Sequence, residues 1–98
     1  MTDDLAIDRA RFRIAPHVRA SCSGDGLVLL DVDGGLVLAS NAAGARIWQL
    51  VEERRATADI VREIAAAYGI PIARARHDVV AFVRALVDRA LVTEETPC

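Results

Sequence analysis

Catalysis in a chain of 98 residues would have to start from its histidines, cysteines and carboxylates, and here these are scattered. His17 and His77 are far apart in sequence, and a general base needs both its proton and an orienting partner within hydrogen-bond reach. Each therefore reads as a surface or half-buried side chain. Asp25, Asp31 and Asp33 are close enough to suggest a cation site, but a calcium loop sets oxygen ligands at regular spacing and closes with a Glu. Beside glycines they read as turn formers, because Asp bonds its own backbone. Cys22 sits in a strand-like run with neither a helix N-terminus nor a cationic neighbour to activate a thiol, so it reads as a small buried apolar side chain. Cys98 ends the chain, and there is no C-x-x-C and no His at ligand spacing, which argues against a zinc site or disulfide framework. Gly24, Gly26, Gly34, Gly35 and Gly44 form neither a G-x-G-x-x-G nor a P-loop. The sequence offers no catalytic residue, no metal ligand and no cofactor motif, and the expectation is a protein that is not an enzyme.

The elements that would position any site fall into two halves. Arg11 to Ile14 alternates charge with bulk, and His17 to Cys22 does so again with Val18, Ala20 and Cys22 on one face. After a turn at Ser23 to Gly26, Leu27 to Val32 is a β-rich run. Asp33-Gly34-Gly35 is hairpin chemistry, and Leu36 to Ser40 resumes the strand. From Asn41 the period changes to 3.6. Ser40 or Asn41 can cap a first helix with Ala43, Ile47, Leu50 and Val51 inward, fraying at Glu52 to Arg55. Thr57 is placed to cap a second, with Ile60, Ile64, Ala65 and Tyr68 as its buried stripe and Gly69 and Pro71 as its stop. A third spans about Ala73 to Arg89, with Val79, Phe82, Val83, Leu86 and Ala90 inward and Val80 and Val87 widening one flank. Leu91 and Val92 pack as the chain leaves, and the tail frays. The expected fold is α+β: a three-stranded antiparallel sheet followed by three helices, resembling a winged helix-turn-helix.

Composition narrows the class. The length fits one domain over 1–98, with an ordered core of about 11–92 and flexible ends. The chain is 53% hydrophobic but only 4% aromatic, so the core is aliphatic. All twelve basic residues are Arg, yet the net charge is −2, which disfavours a nucleic-acid partner. No apolar run approaches the ~20 residues of a membrane span, and Asp3 and Asp4 stand where a signal peptide would be basic. A cytoplasmic protein with no membrane partner is expected.

Binding remains. An edge strand such as Leu36 to Ser40 carries no Pro and no charge to discourage pairing, so it can accept a peptide strand or a second copy, which leaves the oligomeric state open. Val80 and Val87 either wall a groove beside that edge or finish the core. Trp48, the only tryptophan, is either core or a partly exposed anchor. Arg74, Arg76, Arg84 and Arg89 make the third helix net basic against Asp78 and Asp88, a face for acidic groups or simply a solvated one.

The order of these residues is similar to the PqqD-like family, the recognition elements for ribosomally made precursor peptides. The resemblance rests on Gly26-Leu27-Val28-Leu29-Leu30-Asp31, Ser40-Asn41, Gly44, Ile47-Trp48 and Leu50. It continues through Thr57, Ile60, Ile64 and Tyr68 to Asp78-Val79, Phe82, Leu86 and Leu91-Val92, covering roughly Pro16 to Val92. Two positions depart from the family pattern: Ser40 replaces a usual Leu, and Ala90 a common Gly. The resemblance implies a non-catalytic module that takes a precursor's leader peptide as an extra strand on the third strand, against the third helix, and presents it to a leader peptidase or other maturation enzyme. Here that maps to Leu36, Val37, Leu38, Ala39 and Ser40. Helical phase adds Arg76, Val80, Val83, Arg84 and Val87 on one flank, with Asp78, Ala81 and Ala85 as the competing flank. The free-standing size resembles the proteins of lasso-peptide pathways more than those of quinone-cofactor pathways. A winged-helix DNA binder and an adaptor docking through Trp48 are the rival readings.

Overall fold

The structure is a computed structural model and describes residues 7–32, 35 and 37–95. Its central sheet is the expected antiparallel meander of β2 (Val18–Cys22), β3 (Gly26–Asp31) and β4 (Val37–Asn41). The two-residue period decides which face is inner: Leu27 and Leu29 are buried, while Val28 and Leu30 remain 46% and 41% exposed on the outer face. The Ser23 N–H donates to the Gly26 carbonyl at 2.9 Å and closes the first turn. The hairpin expected at Asp33-Gly34 lies outside the described residues; Gly35, beside it, has φ of 69°.

A second, two-stranded ribbon was not foreseen. β1 (Arg11–Ile14) does not join the main sheet but pairs antiparallel with β5 (Val92–Glu95), Phe12 opposite Glu94 and Ile14 opposite Val92. The tail expected to fray therefore forms a strand as far as Glu95, reinforced by ion pairs of Glu95 with Arg13 and Arg54. Phe12 is fully buried by this pairing.

Between β4 and β5 in the chain come α1 (Ala42–Glu52), α2 (Thr57–Tyr68) and α3 (Ile72–Asp88). Asn41 caps α1, its side-chain oxygen accepting from the Gly44 N–H at 3.0 Å. α1 packs against β3, β1 and α2 together, so Ala45, Ile47, Trp48, Leu50 and Val51 are all buried and the helix has almost no free face. Thr57 is not the cap of α2. That place falls to Ala56, and the Thr57 hydroxyl, fully buried, donates to the Ala10 carbonyl at 3.1 Å. Tyr68, expected in the buried stripe, is exposed at the helix end. Cys22 is exposed as well, at the end of the outer strand β2, although its thiol donates to the Ala45 carbonyl of α1 at 3.6 Å.

Each of α1, α2 and α3 ends on a left-handed residue: Arg54, Gly69 and Ala90, with φ near 60°. At the end of α3 the N–H groups of Ala90 and Leu91 bond the carbonyls of Val87 and Leu86, both at 2.9 Å, the pattern of a Schellman cap. That turn points Leu91 into the core and starts β5. No helix among the described residues is long and apolar enough to cross a membrane.

Candidate functional site

Two elements set the site. β4 pairs with β3 on one side only, so its other edge offers backbone N–H and C=O groups without a strand partner. On the inner face of the sheet, beyond that edge, lies an open hollow of about 490 Å³ bounded by Ser40, Ile47, His77, Asp78, Ala81 and Phe82. The end of β4 and the start of α1 form one wall, and a flank of α3 the other.

The hollow depends on a close approach at Gly44. A Cβ there would overlap the Ser40 hydroxyl, lie 2.7 Å from Ser40 Cβ and 3.2 Å from the Phe82 ring. Only glycine lets β4, α1 and α3 converge at this point without displacing Ser40. Ser40 pairs with Leu27, whose side chain is buried, so the hydroxyl side of position 40 also faces inward. The floor is apolar and the rim polar, a form suited to holding one guest side chain while fixing its end.

The residues expected at the site divide between several places. Leu36 lies outside the described residues, and Val37 enters through its pairing with Leu30. Leu38 is partly buried against the core, Ala39 is exposed on the outer face, and Ser40 borders the hollow. On α3, Val83 has no exposed surface: it points into the core with Val79 and Leu86 and offers no side chain to a ligand. Arg76, Val80 and Arg84 border a different, smaller hollow, in which no β4 residue takes part among the described side chains. Arg76 is further held by Asp8, 3.0 Å away. Val87 is 37% exposed on the same flank. The flank that meets the end of β4 is instead that of Asp78, Ala81 and Phe82, while His77 and Ala81 form a ridge shared by the two hollows.

Helical phase cannot choose between flanks that are symmetric about the buried stripe; the packing of α3 in the fold sets which flank borders the end of β4. Trp48 is 1% exposed and has no surface to give a partner, which removes the docking role considered for it. Its indole N–H has no hydrogen-bond partner, a cost of about 1–3 kcal/mol. Burying the ring, worth about 4–6 kcal/mol, outweighs that cost.

The geometry has counterparts among known proteins. The family described as coenzyme PQQ synthesis protein D (PqqD) matches residues 26–92. The structure of TbiB1 in complex with the TbiA(beta) leader peptide is similar, with 32% sequence identity and a TM-score of 0.75 over 82% of this chain and 93% of that one. A lasso peptide synthetase B1 complexed with the leader peptide is similar too, at 25% identity and a TM-score of 0.76, covering 85% and 98%. No curated protein matches the sequence.

Proposed function

The chain belongs to the PqqD family, and on that premise we propose that it is a non-catalytic protein that binds the leader segment of a ribosomally made lasso-peptide precursor. The leader adds as a strand to the free edge of β4, where main-chain hydrogen bonds supply affinity and alternate side chains supply selectivity. The observation that carries this reading is the open edge of β4 beside a hollow walled by α3. Two similar structures, each holding a leader peptide, support it.

Leu38, Ala39 and Ser40, with Leu36 and Val37 before them, form the docking edge. The inward side chains of the guest meet Asp78, Ala81 and Phe82 rather than Arg76, Val80, Arg84 and Val87. The three strands and three helices act as a winged-helix-like scaffold in the cytoplasm. A leader peptidase or another maturation enzyme is the second partner, and holding the precursor near it raises the effective concentration of the substrate without a new catalytic group.

The test is fluorescence anisotropy of a labelled leader from the small open reading frame nearest the gene, against a scrambled control. Saturable binding of the leader alone is expected. No saturation by ~100 μM, a binding free energy weaker than about 5.5 kcal/mol, would overturn the reading.

A further inference from the structure

The charges on α3 are sorted by flank. Arg76 and Arg84 border the hollow away from β4, whereas no Arg borders the hollow beside β4, whose one carboxylate is Asp78. Asp78 is exposed and makes no ion pair among the described residues, unlike Asp8, Asp31 and Asp59, which face Arg76, His17 and Arg62. Next to it the lining has an apolar side of Ile47, Ala81 and Phe82 and a polar side of Ser40, Asn41 and His77. A hollow with one apolar side that ends at a carboxylate without an ion pair among the described residues fits a side chain with a long hydrocarbon stem and a cationic head, since Lys and Arg lay their methylenes on apolar surface and keep the charge at its margin. Phe82, an aromatic side chain of the kind that attracts cations, lines the same hollow. A guest Glu or Asp would meet Asp78 with no Arg among the described residues that line the hollow to compensate it.

We infer that the hollow between the end of β4 and α3 selects a lysine or arginine of the added strand, with Asp78 as the residue that reads its charge. This rests on the strand-addition reading above and names what that site recognises. Ser40 and Gly44 act with Asp78 by keeping the trough open at the end of β4.

The experiment is selection of a random peptide library displayed on phage against the full chain, followed by anisotropy titrations of enriched peptides at pH 8, where imidazoles are neutral. Enrichment of Lys or Arg at one register position is expected. Replacing that residue by norleucine should weaken binding about fivefold in the parent protein and hardly at all in Asp78→Asn, the coupling expected of one charge pair at a partly exposed site. Selection against Asp78→Lys should reverse the preference to Asp or Glu. Peptides that bind through β4 with no basic preference, or with the same preference in Asp78→Lys, would overturn the charge reading while leaving strand addition intact. Failure to enrich any peptide would overturn both.

Discussion

One flank of α3 shares a hollow with the end of β4 and the other does not, although the two are built alike. Each mixes apolar and charged residues on either side of the same buried stripe of Val79, Val83 and Leu86. The Arg76 flank is engaged with the N-terminal segment through Asp8, and no described β4 side chain borders its hollow. The Asp78 flank stands across a gap from backbone groups that lack a strand partner. Amphipathicity alone does not make a binding face; an apolar flank becomes one where the fold leaves it next to unsatisfied main chain.

The sharpest way to break this comparison is at the stripe dividing the flanks. Val83→Ala removes fully buried methyl groups and should lower stability by about 2 kcal/mol in urea unfolding. A variant that unfolds like the parent but no longer binds leader would show that Val83 belongs to a groove after all.

Next come substitutions that obstruct one flank at a time. Ala43→Phe, at the α1 wall of the hollow, should weaken leader binding about tenfold or more, about 1.4 kcal/mol, with little change in melting temperature. Val80→Glu, on the other flank, should change affinity by less than about threefold. The reverse ranking in an anisotropy titration would move the guest to the Arg76 flank.

Ala90→Gly tests the point where both flanks end. The left-handed conformation costs a non-glycine residue about 1–2 kcal/mol, and the entropy of glycine returns about 0.5–1 kcal/mol of that, so a gain of up to about 1 kcal/mol in thermal unfolding is expected. Leader affinity should not move. The smallest effect belongs to Arg76→Ala, which breaks a half-exposed pair with Asp8. It should cost below about 1 kcal/mol, less in high salt, and leave leader binding unchanged. A large loss of binding with Arg76→Ala would tie the two flanks together.

Much of the scaffold is legible in the residues. Alternation from Leu27 to Leu30 fixes the inner face of β3, Asn41 marks the helix start, and the spacing of Val79, Val83 and Leu86 marks the stripe of α3. Each of these signals is local, with a period of 2.0 or 3.6 residues set by backbone geometry. Where the residues misled or left two readings open, a distant partner decided. Phe12 is buried because β5 returns to pair with β1, and Thr57 turns inward because Ala10 offers it a carbonyl. Trp48 is enclosed because α1 is covered on several sides at once.

The edge strand and the residue types around it were thus determined by the sequence itself, since hydrophobic period and turn chemistry act between neighbours. The choice of flank was not. Asp78 and Arg76 are two positions apart on one helix, and which of them borders the strand edge follows from how α3 packs on α2 and on the rest of the core. Those contacts join distant parts of the chain, and only the folded arrangement brings them together.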